Sequence, residues 1–340
     1  MKAAVFHGPR DVRTEEVERP VLEPGDMLVK VAAAGICGSD LHSYKHGLFP
    51  EMGIPVNSGL VLGHEFGGVV VQIAGEVEGL KVGDRITGIC LGCAAEYVRV
   101  PALAIPAVRI IPPEISLEEA ATIEPLATSV HAVHLAGLSD GQTAVVIGAG
   151  IIGLGVIQVL KAKHAVKVVA VDFSQKRLDV AVRIGADAVI NAAHDDVYQG
   201  VLKEAGASEV LYGGEAAGEV DAVFECAGAP RGQSGPAALQ QALRIVRENG
   251  KIVVVSMAER PVEIEAALLV RKGATIAGSW AWTLDDFDEA IALMTARKLD
   301  RRPLVSHEFP IERAKEAYET ALLADESLKV LIKPWGEEKL

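Results

Sequence analysis

Gly148-Ala149-Gly150-Ile151-Ile152-Gly153 is the stretch that decides the fold. It follows the aliphatic run 144–147, Ala-Val-Val-Ile, and opens a segment, 151–163, with helical character. A G-x-G-x-x-G match is common by chance, and it gains meaning from a strand before it and a helix after it. The first glycine permits a tight turn, the second lets a pyrophosphate approach the backbone, and the third lets helix and strand close up. The amides at the helix start, those of Ile151 and Ile152 among them, then face phosphate. A dinucleotide-binding turn is expected here, with a purely structural glycine turn as the alternative.

Working outward, residues 143–160 carry no charge over eighteen positions, about the lower length limit for a membrane span. Glycines at 148, 150, 153 and 155 fit a strand-to-helix turn better than lipid. Further aliphatic runs at 167–171, 188–190, 221–225, 251–255 and 275–277 alternate with helical segments such as 175–184 and 236–247. That alternation implies an α/β fold with a doubly wound parallel sheet and right-handed crossovers. The second run ends at Asp172, where a carboxylate accepts the ribose hydroxyls of NAD and repels the extra phosphate of NADP. Lys176 and Arg177 follow closely and soften that preference. Cys226 and Ala227 end another run, where ligands of such sheets bind.

Residues 1 to about 110 read differently, as short Val/Ile/Ala strands (2–6, 27–33, 66–73, 85–90, 96–101) between Gly, Pro and Asp breaks. The expected domains are 1–126 with 279–340, β-rich, and 127–278, dinucleotide-binding. An irregular segment, 43–62, is of a length commonly reserved for function. With 340 residues, the chain has room for two cores. Its net charge of −13 repels phosphate backbones and anionic membranes, so neither nucleic acid nor a membrane is an expected partner. Four cysteines are too few for a disulfide framework in a chain of this size, and no secretory signal pattern opens it, so a cytoplasmic location is expected.

The β-rich part holds a second chemical centre. Gly35-Ile36-Cys37-Gly38-Ser39-Asp40-Leu41-His42 and Gly63-His64-Glu65 offer thiol, imidazole and carboxylate groups, a donor set that suits zinc. Singly, each has a plain reading: a packed thiol, a core histidine, a solvated acid. Together, beside a dinucleotide turn, they point to a metal.

These motifs, with Val82-Gly83-Asp84-Arg85, Glu124-Pro125-Leu126 and Glu225-Cys226-Ala227-Gly228, make the chain resemble the zinc-dependent medium-chain alcohol dehydrogenase family over nearly its whole length. Glu65 after the histidine and Glu124 before Pro-Leu are most similar to the polyol branch of sorbitol, butanediol and threonine dehydrogenases. The resemblance implies a GroES-like catalytic domain and one catalytic zinc held by Cys37 and His64, with Glu65 and Glu124 as exchanging carboxylates. It implies Asp40 as the hydrogen-bond partner that orients His64, and Ser39 and His42 as the path of the alcohol proton to solvent. It also implies a homodimer or homotetramer acting with NAD on a secondary alcohol of a small polyol or diol.

The chain departs from the family where many relatives insert a four-cysteine zinc lobe: here Cys90-Leu91-Gly92-Cys93 runs straight on, and two thiols cannot close such a site. A hydroxy amino acid dehydrogenase of the threonine type, a zinc-free reductase and a non-catalytic dinucleotide sensor remain as alternatives. Trp280 and Trp282, after the run 275–277, suit either a core or an interface.

Overall fold

The computed structural model describes residues 1–47, 59–208, 215–229 and 237–336. They form two compact units, Met1–Glu124 with Met294–Leu340, and Pro125–Leu293. Residues 279–293, which the change of pattern after Ser279 allots to the first domain, therefore lie in the second. The helix Leu284–Thr295 explains this, because its buried Asp286 receives the rings of His131 and His134 from the helix Ile123–Ala136, at 2.8 and 2.6 Å.

The second unit is built on a six-stranded, all-parallel sheet in the order Ala188–Asn191, Lys167–Asp172, Thr143–Ile147, Ala222–Glu225, Lys251–Val254 and Thr275–Gly278. Its central strands are apolar without alternation, Val145 and Val146 or Val168 to Ala170, because both faces are covered. The order reverses between Thr143–Ile147 and Ala222–Glu225, and a ligand crevice is expected at their carboxyl ends.

Two loops leave the sheet at that point. Gly148 has φ +98°, and a Cβ there would stand 2.7 Å from the Ala227 amide nitrogen and 2.8 Å from the Cys226 carbonyl carbon. Gly153, in the helix Ile151–Lys163, packs so closely on the turn that a Cβ would overlap the Gly148 carbonyl oxygen. Gly150 is different: around its missing Cβ the nearest group is Arg177 Nη1 at 3.9 Å. The first and third glycines are thus needed by the fold and the second leaves room.

The first unit carries a seven-stranded sheet and a three-stranded one. In the larger, Met27–Gly35 lies between Glu65–Ile73 and Lys329–Lys333, antiparallel to both, so the last strand of the chain returns beside the first metal motif. Its core gathers Met27, Val29, Val31, Phe66, Val70, Ile86 and Val98, with Cys90 and Cys93 among them. Much of the segment 43–62 lies outside the described residues; of the rest, Ser43 to His46 end a helix and Leu60–Val61 form a strand. Among the described residues no helix is long and apolar enough to cross a membrane.

The glycine geometry predicts unequal costs. Gly148→Ala combines a left-handed conformation, worth about 1–2 kcal/mol, with overlap on the neighbouring loop, and should lower the thermal midpoint by roughly 4–8 °C. Gly150→Ala should leave the midpoint nearly unchanged; scanning calorimetry of both variants checks the contrast.

Candidate metal and dinucleotide sites

The register of one strand pair brings the metal motifs together. Gly35 is the partner of Glu65 across the antiparallel ladder. Cys37 therefore lies just beyond the end of one strand and His64 just before the start of the other. The Cys37 sulfur, a His64 ring nitrogen and a Glu65 carboxylate oxygen all lie within 4.8 Å of one another.

Asp40 ties the two motifs to each other. It is buried in the first turn of the helix Gly38–His46, a helix the sequence reading did not foresee. One carboxylate oxygen accepts the Cys37 amide at 2.9 Å, and the other accepts the Gly63 amide at 3.2 Å. His64 Nδ1 stands 3.7 Å away, an ion-pair approach longer than a hydrogen bond. The turn-forming role of Asp40 and its place beside the imidazole thus occur together.

The field in this site calls for a cation. Burial disfavours the charged form of His64, yet the Asp40 carboxylate and the Cys37 sulfur outweigh it and push the pKa up to about 12. Glu65 is 0% exposed, and neither of its oxygens has a hydrogen-bond partner among the described residues; only the Lys329 ammonium pairs with it. A tetrahedral zinc with bonds of about 2.0–2.3 Å holds neighbouring donors roughly 3.5 Å apart, within the separation found here. One sulfur, one nitrogen and one oxygen donor fit zinc, with a fourth position left to a further ligand.

Ser39 and His42 are half-buried on the same helix, and the His42 ring meets that of His46 edge-on at 5.1 Å. Glu124, in the first turn of Ile123–Ala136, is buried but is not part of the three-residue group. Cys90 and Cys93 are both free, buried thiols: Cys90 Sγ donates to the Arg99 carbonyl at 2.9 Å, and Cys93 Sγ donates to the Glu65 carbonyl at 3.3 Å. Burial pushes the Cys90 pKa up to about 11 and that of Cys93 well above its ordinary value, which keeps both protonated. Both pack within the apolar core of this unit.

In the second unit, Asp172 ends its strand as the sequence suggests, but the carboxylate also shapes the loop. One oxygen accepts the Ala149 amide at 2.6 Å and the other the Ser174 amide at 2.8 Å. Glu225 does the same on the facing strand, taking the amides of Ala227 and Gly228 at 2.9 and 2.7 Å and the Ser256 hydroxyl. The role of Glu225 is not apparent from composition; its signal is an acid closing an aliphatic strand, the pattern already noted at Asp172. Arg177 places its guanidinium beside Gly150, where the turn is open. Trp282 packs on Phe287 with ring centroids 4.7 Å apart, whereas Trp280 is 71% exposed.

Motif reading includes Gly35 without giving its role, and it misses two buried cations of this unit, Lys329 and Arg301. Gly35 is required because a Cβ would run into the Glu65 carboxylate and come within 2.8 Å of Lys329 Cε. Lys329 is fully buried and also donates to the Ile36 carbonyl at 2.9 Å. Arg301 is fully buried as well, its Nε directed at Thr122 Oγ1 at 3.4 Å. A lysine heading an apolar strand was the available signal for Lys329; Arg301, within Asp300-Arg301-Arg302, reads as a surface charge run.

Comparison with known proteins agrees with this geometry. Residues 23–109 match the model of the alcohol dehydrogenase GroES-like domain, and residues 152–296 that of the zinc-binding dehydrogenase. (R,R)-Butanediol dehydrogenase of Bacillus subtilis is 32% identical over 98% of this chain and all of its own. Sorbitol dehydrogenase of Rattus norvegicus is 31% identical, covering 97% of this chain and 94% of the relative. Among solved structures, an alcohol dehydrogenase from Thermus sp. ATN1 superposes with a TM-score of 0.84 at 31% identity, over 98% of this chain and 99% of its own.

Proposed function

This chain belongs to the zinc-dependent medium-chain alcohol dehydrogenase family, in its polyol branch, and from that membership we propose that it oxidises a secondary alcohol of a small polyol or diol with NAD. The observation that carries the reading is the meeting of Cys37, His64 and a buried Glu65 in a chain that also builds a G-x-G-x-x-G turn between strand and helix. When bound, zinc supplies Lewis acidity toward the alcohol oxygen, and NAD supplies the hydride acceptor.

The residues then divide the work. Cys37, His64 and Glu65 hold the ion, and Glu124 is the carboxylate available for exchange with Glu65. Asp40 fixes the approach of both motifs through the Cys37 and Gly63 amides. Ser39 takes the alcohol proton and His42 passes it to solvent, a role suited to a side chain whose ordinary pKa is near neutral. We propose one zinc per chain, a reading supported by the burial of Cys90 and Cys93 in the core of their unit.

In the other unit, the amides of Gly150, Ile151, Ile152 and Gly153 receive the pyrophosphate, and Arg177 adds a positive charge at the turn. Asp172 accepts the ribose hydroxyls with the lone pairs its two backbone contacts leave. Cys226 and Ala227 line the same crevice. We further take the protein to be cytoplasmic, and a homodimer or homotetramer; the oligomer is supported by Thr275–Gly278, which ends its sheet among the described residues, and by the exposed Trp280 that follows it.

Two measurements test the proposal. Screening polyols, diols and hydroxy amino acids should find NADH production from a polyol or diol that disappears on exhaustive chelation and returns with zinc; turnover that survives complete removal of zinc would point to a zinc-free reductase instead. The wild type should also prefer NAD to NADP strongly, and Asp172→Ala should shrink that ratio at least about tenfold, as loss of a charged hydrogen-bonding group predicts. Equal use of both cofactors by the wild type contradicts the role given to Asp172.

A further inference from the structure

Glu225 closes the strand Ala222–Glu225 with a charge that its hydrogen bonds do not require. One carboxylate oxygen accepts the Ala227 amide at 2.9 Å and the Gly228 amide at 2.7 Å, and the other accepts the Ser256 hydroxyl. Its backbone carbonyl takes the amides of Val255 and Ser256 at 2.9 and 3.2 Å, so this one residue joins the loops that follow two neighbouring strands. A glutamine would meet the same side-chain partners, its carbonyl oxygen accepting both amides and its NH2 group donating to Ser256 Oγ. The negative charge is surplus to that network.

It is also unfavourable where it stands. Glu225 is 3% exposed, and no cationic side chain pairs with it among the described residues. A buried anion is disfavoured unless something facing it supplies positive charge. The sheet has two halves that meet between Thr143–Ile147 and Ala222–Glu225, and a dinucleotide lies across that point with one nucleotide over each half. Asp172 belongs to the first half and takes the adenosine ribose, which leaves the half opened by Ala222–Glu225 to the nicotinamide nucleotide. The loop that Glu225 holds borders the phosphate turn, with the Ala227 amide nitrogen 2.7 Å from the place of a Gly148 Cβ. The two redox forms of that nucleotide differ in charge, since the oxidised ring is a pyridinium cation and the reduced ring is neutral.

We propose that Glu225 is a specificity-determining residue for the redox state of the cofactor: its buried charge favours the binding of NAD+ over NADH. The inference rests on the NAD reading of the preceding subsection. Its consequence suits an enzyme that oxidises alcohols. Loss of the ring charge on reduction removes the attraction and eases departure of the reduced cofactor, a step that often limits turnover.

The test is the pair of dissociation constants of the zinc-loaded protein for NAD+ and for NADH, measured by titration calorimetry without substrate. Glu225→Gln should raise the ratio of the NAD+ constant to the NADH constant about fivefold or more, since unit charges are felt across roughly ten ångströms at an effective dielectric near 20. Ser256→Lys, which brings an ammonium to the same carboxylate, should move the ratio the same way and serves if Glu225→Gln fails to fold. Ser256→Ala, which removes a donor and keeps the charge, should leave the ratio near its wild-type value. A merely structural role for Glu225 predicts that both constants change together, because the two cofactors share their shape. An unchanged or lower ratio in the folded, neutralised variants therefore overturns the proposal while leaving the NAD reading intact. A wild type that binds neither form refutes that reading, and the proposal with it.

Discussion

The buried pair formed by Glu65 and Lys329 occupies the space left by the missing side chain of Gly35. Three strands meet there: Met27–Gly35 ends, Glu65–Ile73 begins, and Lys329–Lys333 returns from the far end of the sequence. None of the three groups can change alone. A side chain at Gly35 would displace the carboxylate; without Lys329, Glu65 would be an uncompensated buried anion, the kind of defect that costs several kcal/mol. The position of Cys37 and His64 follows from the same junction, and Asp40 locks it by taking one amide from each motif. The metal site is thus a property of strand register before it is a property of its ligands.

A similar economy governs the dinucleotide side. Two carboxylates at the carboxyl ends of parallel strands, Asp172 and Glu225, each gather loop amides, while Gly148 and Gly153 let backbone meet backbone where a Cβ has no room. The turn stays open around Gly150, and the two carboxylates keep lone pairs beyond those their backbone contacts use. Phosphate recognition of this kind depends on backbone placement more than on side-chain identity.

How legible this was depended on the range of the interactions. The parallel sheet was readable because strands buried on both faces leave unbroken aliphatic runs, and Thr143–Ile147 and Lys167–Asp172 were placed within a residue or so. The gathering of Cys37, His64 and Glu65 within 4.8 Å was readable because sulfur, imidazole and carboxylate beside glycine form an unusual local cluster. The helix Gly38–His46 was not, since its polar face gives little period, and its stability comes from the Asp40 contact to its own N-terminus. Lys329 escaped because its meaning is an ion pair with Glu65, more than two hundred and sixty residues away in sequence, and no local pattern carries that. Residues 279–293 escaped for a related reason: the pairing of Asp286 with His131 and His134 assigns them to the second unit, and it is made at long range.

The central claim is that one metal ion binds where the two motifs meet. Anomalous diffraction from crystals of the zinc-loaded protein, recorded on both sides of the zinc absorption edge, tests it directly. The account predicts a single strong peak per chain, at bonding distance from Cys37 Sγ, a ring nitrogen of His64 and a carboxylate oxygen of Glu65. A peak at Cys90 and Cys93, or no peak at the Cys37 and His64 junction, would contradict it.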